Sequence, residues 1–141
     1  MKATCRILPV EKPTDDMWSV IGGGISQYNW QHGGPDGFQH LCFALHDPDG
    51  QVAGGLIGEI YWGWLYINLL FVREALRGQG YGHELLTQAE EEARKRGVTH
   101  AFFDTFSFQA PEFYKNHGYR VFGELQDFPP GHTRYYMSKA L

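Results

Sequence analysis

The sequence predicts an α/β protein, a mixed β-sheet flanked by helices, with elements in the order β-α-β-β-β-α-β-α-β-β. Three observations carry this. Two apolar runs flank Asp47-Pro48-Asp49-Gly50, whose Pro and Gly stand where a hairpin turn needs them. The most apolar stretch, residues 64–72, reads as a central strand. An amphipathic helix follows it and leads to another strand, at a spacing that requires a parallel crossover. The chain is 141 residues long and 43% hydrophobic, which suits a single domain (1–141) with one core.

Each element has its own signal. Cys5-Arg6-Ile7-Leu8-Pro9-Val10 suits a short first strand that Pro9 ends. Thr14 or Asp15 can cap a helix carrying Met17, Trp18, Val20 and Ile21. Gly22-Gly23-Gly24 weakens that helix by about 1 kcal/mol per glycine relative to alanine. Residues 29–38, rich in Gly, His and Pro, read as loop. Residues 40–46 and 51–61 are the hairpin strands, and Trp62-Gly63 turns the chain into residues 64–72. Alternation there is imperfect, as expected of a strand covered on both faces. Leu85, Leu86, Ala89 and Ala93 define the apolar face of the next helix. Glu90–Arg94, Glu91–Lys95 and Glu92–Arg96 are i,i+4 pairs on its other side, and Gly97 is its stop. A strand over 98–105 and a helix over 110–117 follow, the helix ending at Gly118. Strands over 119–124 and 132–139 flank the loop Asp127-Phe128-Pro129-Pro130-Gly131.

The net charge of −4 and a pI near 5.9 argue against a nucleic-acid partner. The basic run Arg94-Lys95-Arg96 is interleaved with acids and reads as a solvated helix face. Mild acidity is compatible with a cationic small molecule. Cys5 and Cys42 are isolated and form no CxxC pattern, so two buried thiols in a reducing compartment are expected. A bridge between them is possible in principle. Neither has a base nearby in sequence, which disfavours a covalent cysteine nucleophile. His32, His83 and His132 show no paired spacing for a metal. The N-terminus lacks a signal-peptide pattern and no run approaches 18 apolar residues, so a soluble cytoplasmic protein without a membrane partner is expected. Homodimerisation is expected from the frequency of two-fold oligomers.

The segment that carries chemistry is Leu70-Phe71-Val72-Arg73-Glu74-Ala75-Leu76-Arg77-Gly78-Gln79-Gly80-Tyr81-Gly82. It leaves a buried strand, crosses a short loop and opens a helix. Gly78, Gly80 and Gly82 remove side chains where backbone N–H groups would approach a ligand. The helix N-terminus adds its dipole, and Arg77 a fixed charge, giving an anion site suited to a pyrophosphate. A phosphate P-loop is excluded, since no Gly-Lys-Ser/Thr follows. Half a dinucleotide fingerprint is present, with Asp104 as a candidate ribose ligand. Yet His83 stands where its third glycine belongs and the repeated βαβ units are missing.

Arg77-x-x-Gly80-x-Gly82 resembles the acyl-CoA-binding signature of the GNAT superfamily of N-acetyltransferases, at the strand–helix junction where that family places it. Phe113-Tyr114-Lys115-Asn116-His117-Gly118-Tyr119 is similar to the family's second helix ending. The two motifs flank a strand, and the chain length fits a minimal member.

The resemblance implies acetyl-CoA as co-substrate. Leu70, Phe71 and Val72 would pair with the pantetheine arm, and a bulge near Leu69 and Leu70 would aim an N–H at the thioester carbonyl. The N–H groups of Gly78, Gln79, Gly80, Tyr81, Gly82 and His83, with Arg77, would hold the pyrophosphate. Tyr114 matches the tyrosine that protonates the departing thiolate. Ser107 stands where many members carry an asparagine that contacts pantetheine, and it could instead cap the following helix. The strand glutamate that some members use as base is replaced by Tyr66, which leaves Glu59 on the preceding strand as the candidate base. Trp18, Tyr28, Trp30, His32, Trp64 and Phe108 are candidates to line a pocket for an amine, by cation–π contact. The implied function is acetyl transfer to a primary amine of a small molecule, by direct attack. The alternative is a module that binds CoA or another phosphorylated ligand without turnover.

Overall fold

The computed structural model describes residues 3–141, which divide into two compact units at the 36/37 boundary. The first is helical. The Thr14 hydroxyl accepts from the Met17 N–H and caps α1 (Asp15–Met17), which continues through a π-helical turn (Trp18–Gly22) into α2 (Gly23–Gly33). The helix therefore runs through the three glycines and well into the stretch expected as loop. Gly34, at φ 80°, ends it with an N–H on the Trp30 carbonyl. The first strand expected over residues 5–10 does not form, and Ile7, Leu8 and Val10 are exposed. Pro9 lacks a donor for a ladder, which disfavours strand pairing there.

The second unit is a six-stranded sheet in the order β1-β2-β3-β4-β6-β5. Its strands are β1 (Gln39–His46), β2 (Val52–Tyr61), β3 (Trp64–Val72), β4 (His100–Phe106), β5 (Arg120–Gln126) and β6 (Thr133–Ala140). β3 and β4 pair in parallel around the crossover helix α3 (Tyr81–Lys95), and the other neighbours are antiparallel. A short helix α4 (Pro111–Asn116) joins β4 to β5.

The core lies between α3 and one sheet face. Leu86, Ala89 and Ala93 pack with Leu41, Leu56, Leu65, Ile67, Phe103 and Met137. Leu65, Leu86 and Met137 are fully buried, so truncating any of them to alanine costs about 2–5 kcal/mol.

Three expectations change here. Glu92–Arg96 forms at 3.0 Å. Glu90, however, does not face solvent with Arg94. It is 4% exposed, accepting from the Tyr119 hydroxyl (2.8 Å) and from Lys139 Nζ (2.9 Å). The imperfect alternation of β3 comes from a bulge, since Leu69 and Phe71 are each 59% exposed while Leu65 and Ile67 are buried. Cys5 and Cys42 are both free and exposed, because Cys42 points away from the α3 face of β1 and residue 5 has no strand to sit in. Among the described residues no helix is long and apolar enough to cross a membrane.

Candidate active site

The site begins where the sheet opens. Parallel pairing of β3 with β4 is confined to Trp64–Tyr66 against His100–Phe102, and beyond it the strands part. Here Asn68 bulges out of β3, because Ile57 pairs with Leu69 but Gly58 pairs with Ile67. The bulge thus falls one residue before the Leu69–Leu70 neighbourhood expected from sequence.

A cleft of about 480 Å³ occupies the split. Leu70, Phe71 and Val72 form one wall, Thr105, Gln109 and Tyr114 the other, and Arg77 stands at the end. The strand end that feeds it is pinned: Arg73 reaches Asp47 Oδ2 (3.1 Å) and the Val52 carbonyl (3.1 Å). The Asp47 carboxyl lies below its usual range, chiefly because it accepts the Gln51 N–H.

The glycine loop follows a short 3-10 turn (Glu74–Leu76). Gly78 and Gly80 hold φ of 75° and 88°, in the left-handed region where a side chain is strained. Gly80 is the N-cap of α3 and no side chain caps the helix, which leaves the N–H groups of its first turn for a ligand. Arg77 donates from Nε to the Val72 carbonyl at 2.7 Å, holding its guanidinium at the end of β3 over the Phe71 ring (5.4 Å). Gln79 turns back to the Ala75 carbonyl. Tyr81 lines a separate small cleft with Phe43 and Leu45.

Tyr114 presents its ring to the cleft from α4, held by Phe103 (4.3 Å between centroids) and Phe113 (5.1 Å). Burial pushes its phenol up to about 12, so it stays protonated at neutral pH. Its hydroxyl has no protein partner among the described residues and is free to donate.

Glu59 is half-buried, opposite Tyr66 on β3, and accepts from Asn68 Nδ2 at 3.4 Å. Burial, with Asp104 and Glu59 nearby, raises the phenol of Tyr66. Ser107 does not cap α4, whose N-cap is Ala110. Its Oγ accepts the Thr133 N–H (3.1 Å) and ties the β5–β6 hairpin to the end of β4. Gln109 lines the cleft. Its Oε1 accepts from Thr105 Oγ1 (2.9 Å) and the Phe106 N–H (2.8 Å), which leaves the amide NH₂ for the cleft it lines.

Of the candidate aromatics, Phe108 lines the cleft and Trp64 stacks on His100 at 4.5 Å. Trp18, Tyr28, Trp30 and His32 belong to the first unit, where Tyr28 and His32 stack at 4.1 Å. Sequence reasoning missed Asn68, Gln109 and Asp104 as cleft residues. It also missed the contact of His83 Nδ1 with His117 Nε2 at 2.6 Å.

Comparison with known proteins bears on this geometry. The family described as acetyltransferase (GNAT) matches residues 2–119. An acetyltransferase of Agrobacterium fabrum is 40% identical over 120 residues, which is 85% of this chain and 88% of that one. A blasticidin-S acetyltransferase of Streptomyces morookaense is 42% identical over 93 residues, 65% of this chain and 68% of that one. The crystal structure of an acetyltransferase from Agrobacterium tumefaciens superposes with a TM-score of 0.90 at 34% identity, over 97% of this chain and all of that one. These matches favour the enzyme over the binding module. A split parallel sheet, an uncapped glycine-rich helix start and a family match spanning both therefore agree that the chain belongs to the GNAT family of acetyltransferases, with acetyl-CoA as acyl donor.

Proposed function

We propose that this chain transfers the acetyl group of acetyl-CoA to a primary amine of a small molecule, by direct attack and without a covalent enzyme intermediate. The observation that carries this reading is the cleft that joins the β3 bulge, Tyr114 and Arg77, the residue that precedes the glycine loop. The N–H groups of residues 78–83 and Arg77 hold the pyrophosphate, and exposed backbone of Leu70, Phe71 and Val72 pairs with pantetheine. A backbone N–H beside the bulge donates to the thioester carbonyl. The amine nitrogen bonds to that carbonyl carbon as the carbon–sulfur bond breaks. Glu59 takes the amine proton, directly or through a water, and Tyr114 gives its proton to sulfur. The match across 2–119 supports one catalytic domain running through both units.

The named blasticidin-S acetyltransferase supports a small-molecule acceptor, and the aromatic lining of the cleft, Phe108, suits a cationic amine, while Asp104 beside it is held by Arg134 at 2.7 Å. The test is calorimetric titration with acetyl-CoA, using NAD and ATP as controls, followed by an acceptor screen that includes blasticidin S. Selective micromolar binding of acetyl-CoA and turnover of a small amine are expected. Preference for NAD, or turnover of peptide N-termini alone, would overturn the reading.

A further inference from the structure

His83 lies in the first turn of α3 and His117 follows the last turn of α4, 34 residues away, yet their imidazoles meet at 2.6 Å, Nδ1 to Nε2. The second nitrogen of His117, Nδ1, lies 2.9 Å from the Phe113 carbonyl. A carbonyl only accepts, so His117 Nδ1 carries a proton. In the uncharged pair His117 Nε2 is then the acceptor and His83 Nδ1 the donor. This leaves His83 Nε2 bare on an exposed residue. The geometry dictates where an added proton goes. It binds His83 Nε2, and the resulting imidazolium keeps its hydrogen bond to neutral His117, now charge-assisted. Protonating His117 Nε2 instead would keep the bond only if the His83 proton moved from Nδ1 to Nε2, so in either form His83 Nε2 gains a proton. Phe113 holds the His117 ring at 4.6 Å between centroids, which fixes the acceptor in place.

We propose that His83 and His117 act as one protonatable unit that places a single switchable positive charge on the pyrophosphate of acetyl-CoA, with His117 as the positioning residue that directs the proton to the ligand side of His83. This rests on the placement of the pyrophosphate at the glycine loop. Before the cofactor binds, a cation at the positive end of α3 meets the repulsion of the helix dipole. A bound diphosphate removes it, so ligand and proton bind together. Few other charges compete. On α4, Glu112 and Lys115 pair with each other at 3.2 Å. Lys139, whose stem lies near Gly118, is engaged by Glu90. On α3, Glu84 accepts from Gln88 and keeps its negative charge beside His83. Tyr114 is the remaining titratable group of α4, and it stays protonated at neutral pH.

The probe is 3′-dephospho-acetyl-CoA, because a phosphate monoester titrates near pH 6 on its own and would mask the effect. Binding is measured by calorimetry at about pH 6 and about pH 8, around the range where histidines charge, in buffers of different ionisation enthalpy to count protons. The wild-type protein should bind about 5-fold more tightly at the lower pH and take up close to one proton. His83→Asn should abolish both effects. His117→Phe should flatten the pH dependence, and His117→Gln, which keeps an acceptor for His83, should restore it. A purely structural role for the pair would instead weaken binding by the same factor at every pH, which would overturn the proposal. So would wild-type binding without proton uptake. The pyrophosphate placement fails separately, and takes the proposal with it, if acetyl-4′-phosphopantetheine binds as tightly as the dephospho-cofactor or if Arg77→Ala leaves affinity unchanged.

Discussion

Asn68 donates from Nδ2 to Glu59 Oε1 at 3.4 Å, so the residue that bulges β3 also holds the carboxylate of the neighbouring strand. The contact is long and therefore weak, and it leaves Glu59 Oε2 without a protein partner among the described residues. A carboxylate held by one oxygen and open at the other is arranged to receive a proton. Glu59→Gln should lower kcat about 100-fold with KM for acetyl-CoA unchanged, and Asn68→Ala should lower it only several-fold. Steady-state kinetics decide it: full activity in Glu59→Gln means that the base is another group or solvent.

Tyr114→Phe keeps the ring between Phe103 and Phe113 and removes only the hydroxyl. Acetyl-CoA affinity should stay within about 2-fold while kcat falls about 10- to 100-fold. Because burial raises this phenol to about 12, the wild-type rate should show no loss from Tyr114 ionisation below about pH 10. A pH–rate profile on both proteins checks this. An unchanged rate in Tyr114→Phe would remove it as the acid.

The alternation of elements and the glycine loop were legible in the sequence because both depend on local chemistry. The turn at Asp47–Gly50, the period of α3 and the φ demands of Gly78 and Gly80 are written within a few residues. The bulge was legible only as imperfect alternation, because a single extra residue breaks the period of two just as burial on both faces does. Long-range contacts were not legible. Glu90 reads as one of three i,i+4 acids until β6 brings Lys139 and β5 follows Tyr119 onto it. His117 reads as the end of a helix until α3 brings His83 to it. Gln109 drew no reading from the sequence, because only the β4–α4 turn brings its carboxamide oxygen onto Thr105 and the Phe106 N–H while Ser107 ties to Thr133.

The three loop glycines should separate on substitution. Gly78→Ala and Gly80→Ala force a Cβ into the left-handed region, costing about 1–2 kcal/mol each and distorting the N–H groups that face the ligand. Gly82 has ordinary helical geometry, and a Cβ there would meet Phe113 Cζ at 3.6 Å, a normal contact. Acetyl-CoA affinity should fall at least 10-fold in the first two variants and stay near wild type in Gly82→Ala. Calorimetric titration of the three proteins is the check; equal losses would mean that the loop binds by side-chain space rather than backbone shape.

Glu90, Lys139 and Tyr119 make stability depend on pH and on charge balance. Lys139→Met removes the cation at 2.9 Å from a carboxylate that is 4% exposed, and should cost about 3–5 kcal/mol. Lys139→Met combined with Glu90→Gln should recover much of that, since a neutral amide still accepts from Tyr119 and no charge is orphaned. Alkaline pH attacks the same region. Burial, then the Glu90 carboxylate, holds the Tyr119 phenol well above its ordinary value of 10, and burial raises Tyr114 to about 12. Above about pH 10 the unfolded chain releases these protons while the native chain keeps them. The unfolded state then binds fewer protons, so stability falls as pH rises, whereas below pH 10 the contribution is fully present. Urea midpoints should hold steady from about pH 7 to about pH 9 and decline from about pH 10. Tyr114→Phe should decline less steeply than wild type, because one of the two retained protons is gone. A decline of equal slope in both proteins would show that the Tyr114 phenol ionises as freely in the native cleft as in the unfolded chain.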